Sequence, residues 1–220
     1  MRHLLPFAVL AGATGLLIGA DAGTRPAAES MSFFITSVGP GDGANLGGLA
    51  GADRFCAQLA ESAGVRGREW HAYLSERASA GKPAVNARDR IGAGPWYNAN
   101  GVMVASNLAQ LHSEESALGK ENSLNEKGDQ VNGRGDTPNM HDILTGSLPD
   151  GTVAVDTLDT TCNNFTSNTA GSGSAMVGHH DRQGGGMRPT SWNSAHGSRG
   201  CSQQNLVATG GNGLFYCFAR

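Results

Sequence analysis

Four cysteines constrain this 220-residue chain more than any other feature. Cys56, Cys162, Cys201 and Cys217 are even in number, and no two of them stand at C-x-x-C spacing. In a chain bound for an oxidising compartment this pattern reads as two disulfides rather than as a metal site or a redox pair, and it leaves three connectivities open. The N-terminus supplies the compartment. Met1-Arg2-His3 precedes an apolar run from Leu4 to Ala20, closed by the small-x-small sequence Ala20-Asp21-Ala22. Residues 1–22 are therefore expected to be a secretory signal peptide, with the mature protein periplasmic, cell-surface or secreted. Pro6 and several glycines interrupt the run, which argues against a retained anchor, since a spanning helix wants about 20 apolar residues.

Residues 23–31 read as a flexible tether and 32–220 as one domain with a single core. The 33 glycines, 39% hydrophobic residues and 16% charge describe many turns, long polar loops and a modest core, the kind that benefits from covalent staples. A net charge of -3 gives no basic face for nucleic acid or anionic membrane. No membrane span is expected after the leader.

Local patterning places the elements. Phe33, Phe34 and Ile35 mark a strand over Ser32–Val38, broken by Pro40-Gly41-Asp42-Gly43. Ala52, Phe55, Cys56, Leu59, Ala60 and Ala63 recur at helical spacing, which predicts an amphipathic helix over Gly51–Ala63 with Cys56 on its buried stripe. Trp70–Ser75 alternates as a strand does. Asn107–His112 reads as a short helix capped by Ser106 or Asn107. Ser113–Asn139 is polar and uneven and is expected to be a long surface loop. Strands are expected at His141–Thr145, Thr152–Val155, Thr160–Ser167 and Ser174–His179. A terminal hairpin is expected from Asn205–Ala208, a turn at Gly210–Gly213, and Leu214–Phe218.

Taken in order, Gly51-Ala52-Asp53-Arg54-Phe55-Cys56, Ala72-Tyr73-Leu74-Ser75, Val85-Asn86-Ala87-Arg88-Asp89, Thr145-Gly146-Ser147-Leu148-Pro149-Asp150-Gly151, Cys162, Cys201 and Phe215-Tyr216-Cys217 form a series that resembles the endostatin-like branch of the C-type-lectin-like superfamily, including its bacterial exported members. The resemblance spans about Phe33 to Arg220. It implies an α+β fold with mixed and antiparallel sheets, one or two helices, long loops and two disulfides. It also implies a pairing of Cys56 with Cys217 and of Cys162 with Cys201. On the chain-entropy argument these bridges contribute on the order of 5 and 4 kcal/mol.

The chemistry is less defined. Calcium-dependent sugar binders of that superfamily carry a Trp-Asn-Asp triplet; Trp192-Asn193-Ser194 lacks its carboxylate, so the calcium site is expected to be absent. The densest polar group is His179-His180-Asp181-Arg182 together with Ser191–His196. His180, Asp181, Trp192, Asn193 and His196 are accordingly the candidate ligand-binding residues, for a glycan or an extracellular or cell-envelope protein, with no catalytic residue and no required cofactor. Two alternatives stand beside this reading. One is a structural or protein-interaction domain of the envelope; the other is a metal-dependent enzyme using His179, His180 and His196, with zinc or copper as the ion. Adjacent histidines on a strand point to opposite faces, so His179 and His180 are not expected to share one ion. Trp96 and Tyr97 are further candidate ligand-facing aromatics. Arg134-Gly135-Asp136 has the form of an integrin-binding tripeptide, and Asn164-Phe165-Thr166 of a glycosylation acceptor.

Overall fold

The structure, a computed structural model, describes Met1, residues 30–155 and residues 158–220. The expected leader, apart from Met1, and nearly all of the expected tether lie outside the described residues. Met31, the last residue assigned to the tether, is fully buried in the core.

The chain folds as α+β around one mixed sheet. Its strands are β1 (Phe33–Ile35), β2 (Trp70–Ala72), β5 (Asp142–Leu144), β6 (Met176–His179), β7 (His196–Gly197) and β8 (Gly211–Ala219), in the order β1-β8-β5-β6-β7, with β2 also paired to β8. The helices are α1 (Gly48–Ser62), α2 (Ala87–Arg90), α3 (Leu108–Leu111) and α4 (Gln203–Thr209). A separate two-stranded sheet joins β3 (Trp96–Tyr97) to β4 (Met103–Ala105).

β8 organises the rest. Its second half pairs antiparallel with β1 and β2, in the registers Phe33↔Phe218 and Ala72↔Cys217, while its first half runs parallel to β5. Both faces of β8 are covered, and its side chains alternate between two apolar clusters. Phe215, Cys217 and Ala219 join Ala52, Cys56 and Ala60 of α1. Leu214, Tyr216 and Phe218 join Phe33, Tyr73, Trp96 and Trp192. This is the period-2 rule applied to a strand buried on both sides, which is why the segment reads as a continuous apolar run. Cys56 reaches β8 from the stripe of α1, and the Cys56–Cys217 bond closes the sheet onto the helix. Cys162 is bonded to Cys201.

Helix α1 begins three residues before the periodicity predicts. The Leu49 amide donates to the Glu76 carboxylate at 3.2 Å, so a distant side chain satisfies an N-terminal donor. Asp53 ties the helix to β2, accepting from the Ala72 amide at 2.8 Å and from Arg90 Nη2 at 2.6 and 2.8 Å. α3 is capped as expected, with Asn107 Oδ1 accepting from the Gln110 amide at 3.0 Å.

Three expectations need correction. Asn205–Ala208 is not a strand of a terminal hairpin; it belongs to α4, because Ser202 Oγ accepts from the Asn205 amide and caps a helix there, and β8 starts directly after Gly210. Thr160–Ser167 is not a strand either. Cys162, Asn163, Asn164 and Phe165 all have φ between 49° and 56°, one turn of left-handed helix. Such a turn costs about 1–2 kcal/mol per residue for most side chains. Asp159 offsets it by accepting from the Thr161 and Asn163 amides at 2.8 and 2.7 Å, and two of the four residues are asparagines, which tolerate this region. Thr152–Val155 forms only a single bridge, Ser147 to Val153. The segment 113–139 lacks regular helix or strand, as expected, yet it is not merely superficial: Leu118, Leu124 and Val131 are buried. Among the described residues, no helix is long and apolar enough to cross a membrane.

Candidate metal centre

The β5–β6 pairing builds a polar cluster at one end of the sheet. The two strands run antiparallel with Asp142 directly opposite His179, and the β6–β7 pairing sets His196 opposite Val177, on the far side of β6. His141 immediately precedes β5. The result is a carboxylate surrounded by imidazoles. Asp142 Oδ1 lies 3.3 Å from His141 Nε2, 3.2 Å from His179 Nε2 and 3.6 Å from His196 Nε2. The His141 and His179 rings stack at 4.3 Å, and His179 Nε2 is 3.0 Å from His196 Nε2. Among the described residues, His141, Asp142 and His179 are the histidine, cysteine and carboxylate side chains that converge closely enough to share an ion.

The outer nitrogens of the rings all face acceptors. His179 Nδ1 faces the Pro189 carbonyl at 2.7 Å, His196 Nδ1 the Gly197 carbonyl at 3.1 Å, and His141 Nδ1 the Asp181 carboxylate at 3.4 Å. Each of these partners only accepts, so each Nδ1 donates outward, and the three Nε2 atoms face the Asp142 carboxylate. Asp142 is almost completely buried, and neither of its carboxylate oxygens has a hydrogen-bond donor. Ring nitrogens and a buried carboxylate packed at 3.0–3.6 Å call for positive charge among them, whether a proton on a ring or a bound cation. Burial opposes the charged form of His179, but the Asp142 carboxylate and the Pro189 carbonyl outweigh burial, and its pKa moves up.

Asp181 supports the centre from outside. Its carboxylate holds the His141 ring and accepts from the Arg134 amide at 2.6 Å and the Gln183 amide at 3.1 Å. Burial works against its charge, but these donors and His141 win, and its pKa lies well below the usual carboxylate range. A carboxylate behind an imidazole Nδ1 is the usual way of fixing ring orientation and raising ligand basicity at metal sites. Gly184 and Gly186 pass close to two of the rings. A Cβ on Gly184, whose φ is +143°, would fall 2.5 Å from His179 Cε1, and one on Gly186 would fall 2.8 Å from His196 Cδ2. The strap lies that close only because it has no side chains.

The candidate residues named from sequence are thus divided. His179 and His196 converge. His180 does not: its ring points away from its neighbour, with Nε2 donating to the Asn132 carbonyl at 3.1 Å, and burial lowers its pKa. Trp192 and Asn193 are nearly inaccessible. Trp192 Nε1 donates to the Leu111 carbonyl, and Asn193 Nδ2 donates to Tyr73 Oη and to the Leu148 and Pro149 carbonyls. Their edges border a cleft of about 240 Å³ shared with His112, Arg182 and Arg188. Trp96 is buried in the core, with Tyr97 half-buried beside it. Asp136 of the Arg-Gly-Asp tripeptide pairs with Lys120 at 2.5 Å and accepts from the Gly133 amide, and Asn164 is engaged at both side-chain atoms by the Arg77 backbone.

His141 and Asp142 escape a reading of the sequence. They lie far from the His-His-Asp-Arg segment and form no spacing motif with it; the signal available is that two separate strand candidates each carry a polar residue at one end. No family model matches the chain, and no curated protein matches it in sequence, so the geometry of the cluster carries the functional reading.

Proposed function

We propose that this domain binds one first-row transition-metal ion through His141 Nε2, His179 Nε2 and Asp142, on the scaffold of an exported, disulfide-stapled protein. The observation that carries this reading is the buried Asp142 carboxylate, which has no partner beyond the imidazole Nε2 atoms that face it at 3.2 and 3.3 Å. The donor set is two imidazoles and a carboxylate with no thiolate, which suits zinc, copper(II), iron(II), nickel(II) or manganese(II) and ill suits calcium, whose ligands are all oxygen. Export is supported by the two disulfides, which persist in oxidising compartments. A C-type-lectin-like scaffold is supported by the pairing of the first and last strands and by the bridge from the first long helix to β8.

The test is metal content and affinity. Protein stripped with chelator and reloaded with zinc is expected to hold one ion per chain and to unfold at higher temperature, by about 2.7 kcal/mol of added stability at 100 times Kd. Asp142→Asn and His179→Gln are expected to abolish both effects while keeping native circular dichroism. Wild-type protein that stays metal-free and is unmoved by zinc, copper or iron sinks the proposal.

A second reading, recognition of carbohydrate, draws on the cleft bordered by Trp192 and Asn193 with two arginines alongside. A glycan array with and without calcium checks it; no binding in either condition leaves the interaction-domain alternative.

A further inference from the structure

Resting on the metal reading, we infer that the ion keeps one coordination position open to solvent, and that a small exogenous ligand, water or a small anion, occupies it with His196 as its hydrogen-bond partner. His196 on this view is a positioning residue and not a fourth ligand.

Three observations point this way. The donors differ sharply in accessibility: the side chains of His179, Asp142 and His141 are 0%, 1% and 7% exposed, whereas that of His196 is 27% exposed. Solvent therefore reaches the centre from the His196 side. His196 also stands furthest from the carboxylate, at 3.6 Å from Asp142 Oδ1 against 3.2 and 3.3 Å for the other two rings. It sits on β7, the two-residue strand at the edge of the sheet, while Asp142 and His179 belong to interior strands paired on both sides. Finally, the chain passing over this side is the strap Gly184-Gly185-Gly186, which runs so close to the His179 and His196 rings that a Cβ on Gly184 or Gly186 would clash with them, and it brings no side chain to the centre.

The chemistry is coherent. Three protein donors with a fourth place left to solvent is the arrangement of reactive zinc centres, whereas four protein donors make a closed, structural one. With its Nδ1 turned to the Gly197 carbonyl, His196 presents Nε2 to the centre as the hydrogen-bond partner of a ligand in the open position. A Cβ on Gly184 or Gly186 would fall 2.5 or 2.8 Å from the rings, so the strap runs close over this side and favours a ligand of few atoms.

Cobalt(II)-loaded full-length mature protein makes the test, because its visible spectrum reports both binding and coordination. Sodium azide is titrated into wild type, His196→Ala, and His141→Ala as the ligand control. The expected result is an azide-dependent spectral change in wild type. His196→Ala is expected to keep one cobalt per chain with affinity reduced about 10-fold or less and to bind azide more weakly, whereas His141→Ala loses about 100-fold or more of its cobalt affinity. Cobalt bound by wild type with no response to azide overturns the open position while leaving the metal reading intact. Loss of cobalt from His196→Ala as complete as from His141→Ala makes His196 a ligand and overturns the inference in the same way. Failure of wild type to bind cobalt or zinc at all overturns the metal reading, and this inference with it.

Discussion

Replacing Gly178 by alanine tests the packing that holds the centre together. Gly178 lies in the middle of β6, beside His179, with an ordinary backbone conformation, so the substitution introduces no φ strain and acts through contact alone. An added Cβ would fall 1.8 Å from the Trp192 carbonyl oxygen, 2.2 Å from its carbon and 2.4 Å from the Asn193 amide nitrogen. Ordinary contact begins at 3.4 Å, so the segment crossing β6 must retreat by about 1.5 Å. That segment is held by short hydrogen bonds: Tyr216 Oη donates to the Trp192 carbonyl at 2.7 Å, the Ala195 amide to Val177 at 2.7 Å, and the His179 amide to Ser191 at 2.9 Å. The Tyr216 bond cannot survive such a shift, and its fully buried hydroxyl is left unpaired at a cost of about 1–3 kcal/mol. Overpacking adds about 1–3 kcal/mol. A loss of about 4 kcal/mol follows, or about 8–16 °C in Tm for a domain of this size. Thermal unfolding of the oxidised protein, followed by near-ultraviolet circular dichroism, measures it. Gly185→Ala is the control, since a Cβ there meets nothing within 4 Å, and it is expected to stay within about 0.5 kcal/mol of wild type. A Gly178→Ala protein within about 1 kcal/mol of wild type would mean that the crossing segment yields freely, and the contact argument would fail.

The two disulfides should differ in worth: they close spans of 161 and 39 residues, so Cys56→Ser/Cys217→Ser is expected to cost about 5 kcal/mol and Cys162→Ser/Cys201→Ser about 4 kcal/mol in denaturant titrations. Asp159 caps the left-handed turn. Burial disfavours its charge, but bonds from Thr161 and Asn163 win and hold its pKa below the usual value. Its stabilisation is therefore present above the unfolded carboxylate value of about 3.9 and is lost as pH falls through the lower folded value. Asp159→Asn should cost about 1–3 kcal/mol at pH 7 and much less near pH 2, and an equal cost at both would show that the charge is irrelevant. Asn107→Ala, which removes the α3 cap, is expected to lower stability by about 1 kcal/mol in urea melts.

Several features are legible in the residues themselves. The stripe of Ala52, Cys56 and Ala60 points one way on any helix, and it does so here. Asn107 needs only its own backbone to cap α3. His179 and His180 part as an extended chain would have them do, although His180 lies in the turn that follows β6. The segments that depart from expectation share a cause. Asn205–Ala208 and Thr160–Ser167 have compositions compatible with strands, but their conformations are decided by groups that periodicity ignores: the Ser202 hydroxyl in the first case, and in the second the Asp159 carboxylate and the Cys162–Cys201 bond.

The candidate centre divides along the same line. Residue order dictates the α+β class, the amphipathic helix and the buried character of the last strand, because each depends on hydrophobic spacing within a single segment. Which ring faces which carboxylate depends on register. The antiparallel pairing of β5 and β6 sets Asp142 against His179, and a slip of one residue would have turned that carboxylate to the other face of the sheet. His196 arrives from a third strand whose approach the absent side chain of Gly178 permits. Local sequence determines the elements because their energetics are local; the meeting of His141, Asp142, His179 and His196 is a property of strand pairing, which exists only in the folded sheet.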